Sequence, residues 1–246
     1  MSGHSKWHNI QAKKGKADAA RGKIFTKLGR ELAVAAKGNP NPSTNSKLAD
    51  VIAKAKAANM PNDNIERSIK KAAGEVGDKD YKELTYEGYG VGGAAVIITT
   101  LTDNNNRTAG DVRAIMSKHG GSLGMTGCVS YMFDTKGVIV VERTPDLTED
   151  EVTDYAIEAG ADDVVTEDDA FEIYTSVAAF SEARRFLEAK GLSFLQAEIT
   201  QIPQNKITLA SEKLETFRKM LDKLEENDDV QNIYHNVELP EEDEEE

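Results

Sequence analysis

The sequence predicts an α+β chain of three domains, and three observations predict it. Near residue 80 the texture changes, from apolar residues at three- and four-residue steps to short β-branched runs. Residues 138–201 then present elements in the order β-α-β-β-α-β, the split βαβ or ferredoxin-like arrangement. A further helix and strand over 211–237 have no partner unless they return to the strands of 82–134. The expected domains are therefore 1–79, a basic arm with three helices; 80–134 together with 205–238, a discontinuous middle domain; and 135–204, an inserted ferredoxin-like domain. Residues 239–246 form an acidic tail too charged to fold. The fold expected is an N-terminal helical bundle plus two ferredoxin-like α/β sandwiches, one inserted in the other.

Each element has its own signal. Residues 1–14 are polar and basic with Trp7 and little periodicity, as in an extended arm. From about Gly15 to Lys37 the residues Ile24, Phe25, Leu28, Leu32, Ala35 and Ala36 share one helical stripe, taking roughly 100° per residue. Gly38, Pro40 and Pro42 end that helix. A second helix spans about Thr44–Asn59, and Pro61 opens a third with Ile65, Ile69 and Ala72 inward. Gly74–Asp80 is a linker. Strands at Leu84–Tyr89 and Ala94–Leu101 flank a Gly-rich turn, and a helix covers Arg107–His119. Cys128–Phe133 and Val138–Glu142 are strand-like. Asp150–Ala159 and Ala179–Lys190 are helical, with strands at Asp163–Val165, Phe171–Thr175 and Phe194–Gln201. Ser211–Glu226 is a helix and Val230–Val237 a strand.

Composition excludes several classes. One cysteine in 246 residues, Cys128, leaves no disulfide framework and no cysteine-based zinc site. The longest apolar runs fall far short of the ~18 residues that span a bilayer, and residues 1–16 carry no leader-like apolar core. The chain is expected to be cytoplasmic, with no membrane, no metal and no small-molecule substrate. The net charge of −13 speaks at first against a nucleic-acid partner. Its distribution reverses that inference. Residues 1–80 carry 16 Lys+Arg against 8 Asp+Glu, a net of +8, while the remainder carries −21. The first thirty residues alone hold eight cations and one acid, Asp18. A basic module on an acidic body seeks a polyanion with one face.

The cations define the first candidate site: Lys6, Lys13, Lys14, Lys16, Arg21, Lys23, Lys27 and Arg30, with Trp7 able to stack on a base and His8 beside it. Lys16, Lys23, Lys27 and Arg30 lie opposite the apolar stripe of the first helix. Arg21 falls on the apolar side, where it either snorkels or pairs with an acid of the body. A second candidate is Thr102–Thr108, TDNNNRT, between a strand and a helix. Asp103 or an Asn can cap that helix. Three consecutive Asn and Arg107 exceed what a cap needs, so Asn105, Asn106 and Arg107 stand equally as loop structure or as a second binding surface. Other motifs fail on context. Gly88, Gly90 and Gly93 match G-x-G-x-x-G, but a strand follows rather than a helix, so a hairpin turn is expected and not a dinucleotide site. His4 and His8 lack further metal ligands. The acids from Asp162 to Asp169 lack calcium-loop spacing.

GHSKWHNI at 3–10, GKIFTKLGRELAVAAKG at 22–38, NMPNDNIERSIKKA at 59–72, YEGYGVGG at 86–93, TDNNNRT at 102–108, HGGSLG at 119–124 and YHN at 234–236 resemble the YebC/PmpR family over nearly the whole chain. Val91 and Cys128 depart from that family's usual Pro and Ser. The resemblance implies three α+β domains, a cytoplasmic location and no cofactor. It implies one of two functions, a DNA-binding transcriptional regulator or a ribosome-associated translation factor that helps synthesis through proline-rich stretches. The residues themselves favour a non-enzymatic nucleic-acid-binding regulator of gene expression, with the lysine-rich arm leaning slightly to RNA and the family's customary label to DNA. The alternative is a translational activator that meets rRNA or tRNA by shape and backbone, with the acidic body docked on basic ribosomal proteins. For DNA, the second and third helices, joined near Asn59–Pro61, form a candidate helix-turn-helix. An enzyme built on the ferredoxin-like domain is disfavoured because the four His are scattered and no nucleophile motif occurs. A pure protein scaffold is the remaining rival.

Overall fold

The computed structural model describes residues 17–73 and 81–240, with side chains over 22–72 and 81–240. The described chain is mixed α+β, with helices at its N-terminal end and two four-stranded antiparallel sheets.

Helix α1 (Ala17–Ala36) buries Leu28, Leu32, Ala35 and Ala36. Ile24, expected on that stripe, is 44% exposed. It lies at the stripe's edge, and Phe25 takes the inward position in that turn. Asn45 joins α1 to α2 (Ser46–Ala57). Its side-chain oxygen caps α2 by accepting from the Leu48 N–H at 3.0 Å, and its amide donates to the Ala35 and Asn39 carbonyls, both at 2.7 Å. Asn59, at φ 58, turns the chain into α3 (Asn62–Ala73). Leu48, Ala55, Met60 and Ile65 complete this small core.

The first sheet contains β1 (Lys82–Tyr89), β2 (Ala95–Thr102), β3 (Ser122–Leu123) and β8 (Val230–His235), in the order β3-β1-β2-β8. Helices α4 (Asn105–Lys118) and α7 (Ser211–Glu226) cover one face through Val112, Met116, Phe217, Met220 and Leu224 packed on Val96 and Ile98. The second sheet contains β4 (Phe133–Glu142), β5 (Asp163–Thr166), β6 (Ala170–Thr175) and β7 (Phe194–Pro203), in the order β5-β6-β4-β7. With α5 (Glu149–Glu158) and α6 (Phe180–Ala189) this is the ferredoxin-like plan. The first sheet has the same spatial plan from a different chain order. There β2, α4 and β3 supply the first half and α7 and β8 the last pair, while β1, from the start of the segment, fills the strand between β3 and β2.

Two local expectations need correction. Cys128–Phe133 is not a strand. The chain turns through a 3-10 segment at Ser130–Met132, and a single strand runs from Phe133 to Glu142. The cause is Glu87, 5% exposed, whose carboxylate accepts from the backbone N–H groups of Gly127, Val129 and Ser130 at 2.8, 3.0 and 2.9 Å. Burial pushes that carboxyl up, and the three backbone hydrogen bonds outweigh it and hold Glu87 below the usual range. A carboxylate that captures these donors removes them from any ladder. The short β3 is the second difference. It pairs with Gly88 and Tyr89, and a Cβ built on Gly88 would lie 2.2 Å from the Ser122 carbonyl oxygen. Gly88 is thus a close-approach residue, and GYGVGG is the β1–β2 turn.

Candidate nucleic-acid interface

Of the residues nominated from sequence, Lys6, Trp7, His8, Lys13, Lys14 and Lys16 lie outside the described residues, and the Arg21 side chain lies outside the described side chains. The others can be placed. Lys23, Lys27 and Arg30 project from one face of α1, as their spacing of four and three requires. That face does not look out into solvent alone. It meets the end of α7 and the turn into β8, where Glu225, Glu226, Asp228 and Asp229 follow one another closely.

Asp229 is the centre of this junction. Its side chain is 5% exposed. Arg30 Nη1 donates to Oδ1 at 2.8 Å, and also to the carbonyls of Asp228 at 2.6 Å and Leu101 at 3.2 Å. The Arg30 guanidinium also lies 5.4 Å from the centroid of the Tyr81 ring. Arg107 reaches Oδ2 from the other side, through Nη2 at 2.7 Å and Nε at 3.3 Å. The Thr108 hydroxyl donates to Oδ2 at 2.8 Å, with Thr102 Oγ1 3.2 Å away. Burial raises the Asp229 carboxyl, but hydrogen bonds from Arg107, Thr108 and Arg30 and the charge of Arg107 hold it below the usual aspartate range.

The TDNNNRT loop is built around the same carboxylate. Asn104 is the N-cap of α4, accepting from the Arg107 N–H at 3.1 Å. Thr102 Oγ1 accepts from the Asn104 N–H at 2.9 Å, and Asp103 receives Arg107 Nη2 at 2.9 Å. Asn104, Asp103 and Arg107 therefore do structural work here. Asn105 and Asn106 are exposed in the first turn of α4, and their side chains form no hydrogen bond among the described residues. The two regions nominated separately, α1 and the β2–α4 turn, are thus brought together, with Asp229 between them. Sequence reasoning missed Asp229. The signal available was an acid-rich END-D run after a helix, the same composition as any solvated turn.

The helical unit is fixed to the second sheet as well. Arg184 of α6, 4% exposed, donates to Asp50 of α2 at 2.9 Å, and Ser181 bonds the same carboxylate. Lys54 bridges Glu31 at 3.0 Å and Glu198 at 3.8 Å. Burial lowers the Lys54 ammonium, and the charges of Glu31 and Glu198 reverse this and raise it. One side of α2 is consumed by these contacts. On α3, by contrast, Arg67, Lys70 and Lys71 are exposed, interleaved with Asp63 and Glu66. A helix-turn-helix would present α3, and these three cations were not among the nominated residues.

Residues 81–237 match the model of the TACO1/YebC second and third domain, and residues 5–75 that of the TACO1/YebC N-terminal domain. The chain belongs to the TACO1/YebC family. Its relatives in the family include a protein of Clostridium tetani (strain Massachusetts / E88), 59% identical over 243 residues, covering 98% of this chain and 99% of that one. A second, from Thermoanaerobacter pseudethanolicus, is 53% identical over the full length of both. Both are called probable transcriptional regulatory proteins. Among solved structures, the conserved hypothetical protein Aq1575 of Aquifex aeolicus superposes with a TM-score of 0.81 at 44% identity, covering 93% of this chain and 95% of its own. The α+β fold is therefore shared with that Aquifex aeolicus protein. No helix among the described residues is long and apolar enough to cross a membrane.

Proposed function

We propose that this protein is a DNA-binding regulator of gene expression without catalytic activity, working in the cytoplasm. The observation that carries the reading is the junction at Asp229, where Arg30 of the basic α1 face and Arg107 of the TDNNNRT turn hold one carboxylate. The relatives' description as probable transcriptional regulatory proteins supports it. In this reading the arm neutralises phosphate through Lys6, Lys13, Lys14 and Lys16, with Trp7 and His8 against the bases or backbone. Lys23 and Lys27 extend that track along α1, and Asn105 and Asn106 donate from the α4 turn. Arg30 and Arg107 act as positioning residues, because Asp229 already holds their guanidinium groups. The domain division of 1–79, 80–134 with 205–238, and 135–204 belongs to the same proposal, with the basic unit reading the target and the acidic ones keeping contact to one face.

Crosslinking in cells followed by sequencing of the bound nucleic acid tests it. Enrichment of promoter DNA is expected. Enrichment of rRNA or tRNA would replace DNA by RNA as the target, and enrichment of neither would end the reading. In vitro, affinity for duplex DNA should fall with salt at a slope of about −0.9 per phosphate neutralised. Changing Lys13, Lys14, Lys23 and Lys27 together to Glu should abolish binding with the fold retained.

A further inference from the structure

The cations of α1 are held by the acidic body with a graded grip. Arg30 is held hardest, by Asp229 Oδ1 and two carbonyls, with its side chain only 16% exposed. One turn earlier, Lys27 Nζ donates to the Glu225 carbonyl at 3.1 Å, at the negative end of α7. One turn earlier again, Lys23 is exposed; the Glu226 carboxylate is held below its usual range first by Lys223, which donates to it at 2.7 Å, and to a smaller extent by the charge of Lys23. Glu225, Glu226 and Asp228 are themselves exposed. The segment thus sets backbone oxygens against Lys27 and Arg30 and brings the Glu226 carboxylate within electrostatic range of Lys23.

We propose that residues 225–228 are an intramolecular competitor for the phosphate groups of the nucleic acid. The free protein keeps Lys23 and Lys27 partly neutralised, and the polyanion gains them by displacing this segment, while Arg30–Asp229 stays closed as the pivot. The inference rests on the nucleic-acid reading above and concerns the regulation of that same face. Such a contact lowers affinity for weak or brief polyanion encounters and spares a duplex long enough to hold the arm at the same time. Discrimination of this kind comes from a built-in rival as much as from attraction.

The test uses the full chain with Glu225→Gln, Glu226→Gln and Asp228→Asn together, leaving Asp229 in place. The probe is a fluorescent mixed-sequence DNA duplex, titrated at several salt concentrations. Removing three exposed carboxylates close to these cations predicts binding about five- to tenfold tighter at low salt. The salt slope should steepen by about 2 as two more phosphates are neutralised. A charge control changes Asp146, Asp150 and Asp168 to Asn, three exposed acids elsewhere on the body. It should tighten binding less and leave the slope unchanged. Adding Lys23→Glu and Lys27→Glu to the first variant should erase its gain. An equal gain in the charge control, or a gain that survives loss of the two lysines, would overturn the proposal. If wild type and every variant fail to bind duplex at low salt, the nucleic-acid reading falls first and this inference with it.

Discussion

Arg30 of α1 and Asp229, at the turn into β8, lie 199 positions apart and meet at 2.8 Å, with side chains 16% and 5% exposed. A pair so buried acts through the cost of breaking it more than through its net gain. Its partners come from α1, the end of β2, α4 and the turn after α7, so one carboxylate fixes the helical unit against the first sheet. Asp229→Ala should destabilise the protein by about 3 kcal/mol, because Arg30 keeps a buried charge with two carbonyls and the Tyr81 ring but no counter-ion. Urea denaturation measures this. Asp229→Asn, which keeps one acceptor oxygen, should cost less. A loss under about 0.5 kcal/mol for the alanine variant would show that the junction is not a clasp.

Acid should loosen the same junction. Asp229 and Glu87 are both held below their usual ranges in the fold, Asp229 by arginine and threonine donors and Glu87 by three backbone N–H groups. A carboxylate with a depressed folded value stabilises above its unfolded pKa, and that stabilisation is lost as pH falls through the folded value. Stability should therefore be level down to about pH 5 and decline below about pH 4. The variant Asp229→Asn with Glu87→Gln should start less stable and show a flatter acid limb. An acid limb identical in slope to wild type would place the titrating groups elsewhere.

Asn105 and Asn106 separate the two readings of the TDNNNRT loop. Asn104 already caps α4 and Arg107 is tied to Asp229, so neither can report on binding alone. Asn105→Ala with Asn106→Ala removes two exposed amides without a bond among the described residues. Duplex binding should weaken about thirtyfold with the melting temperature unchanged, at roughly 1 kcal/mol for each of the two lost contacts. Arg107→Ala should lower the melting temperature whatever it does to binding. Unchanged affinity in the double alanine variant would return the loop to a purely structural role.

The alternation and helical periodicity that specify the second sheet were legible because they are local. From Phe133 to Pro203 the elements run uninterrupted as β-α-β-β-α-β, a known plan whose crossovers give the strand order β5-β6-β4-β7. The segment at Cys128–Phe133 was misjudged because its outcome depends on Glu87, about forty residues away in the chain, capturing three N–H groups. The basic face of α1 was legible as charge. What it faces was not, because the acids opposite it arrive two hundred residues later in a run indistinguishable from solvated turns. Asp229 is the sharpest case: it ends a polar run, Glu225–Asp228, whose acids are exposed, and it is buried where β8 returns to β2.

The GYGVGG turn offers a decisive substitution, because its two physical readings demand different things of Gly88. A phosphate-cradling loop would need Gly88 for access to a ligand, and the apoprotein would tolerate alanine. In the structure a Cβ at Gly88 meets the Ser122 carbonyl oxygen at 2.2 Å and the Leu123 Cα at 2.9 Å, both backbone atoms that cannot swing aside. Gly88→Ala must therefore push β3 off β1 and break its register with Leu123. Overpacking of this kind costs about 1–3 kcal/mol. Hydrogen exchange should show faster opening of the amides around Ser122 and Leu123, while the second sheet is undisturbed. The same experiment with Gly22→Ala, where a Cβ meets nothing within 4 Å, should leave stability equal to or slightly above wild type, as expected for glycine replaced within a helix. A Gly88→Ala protein as stable as wild type would remove the steric explanation for the motif.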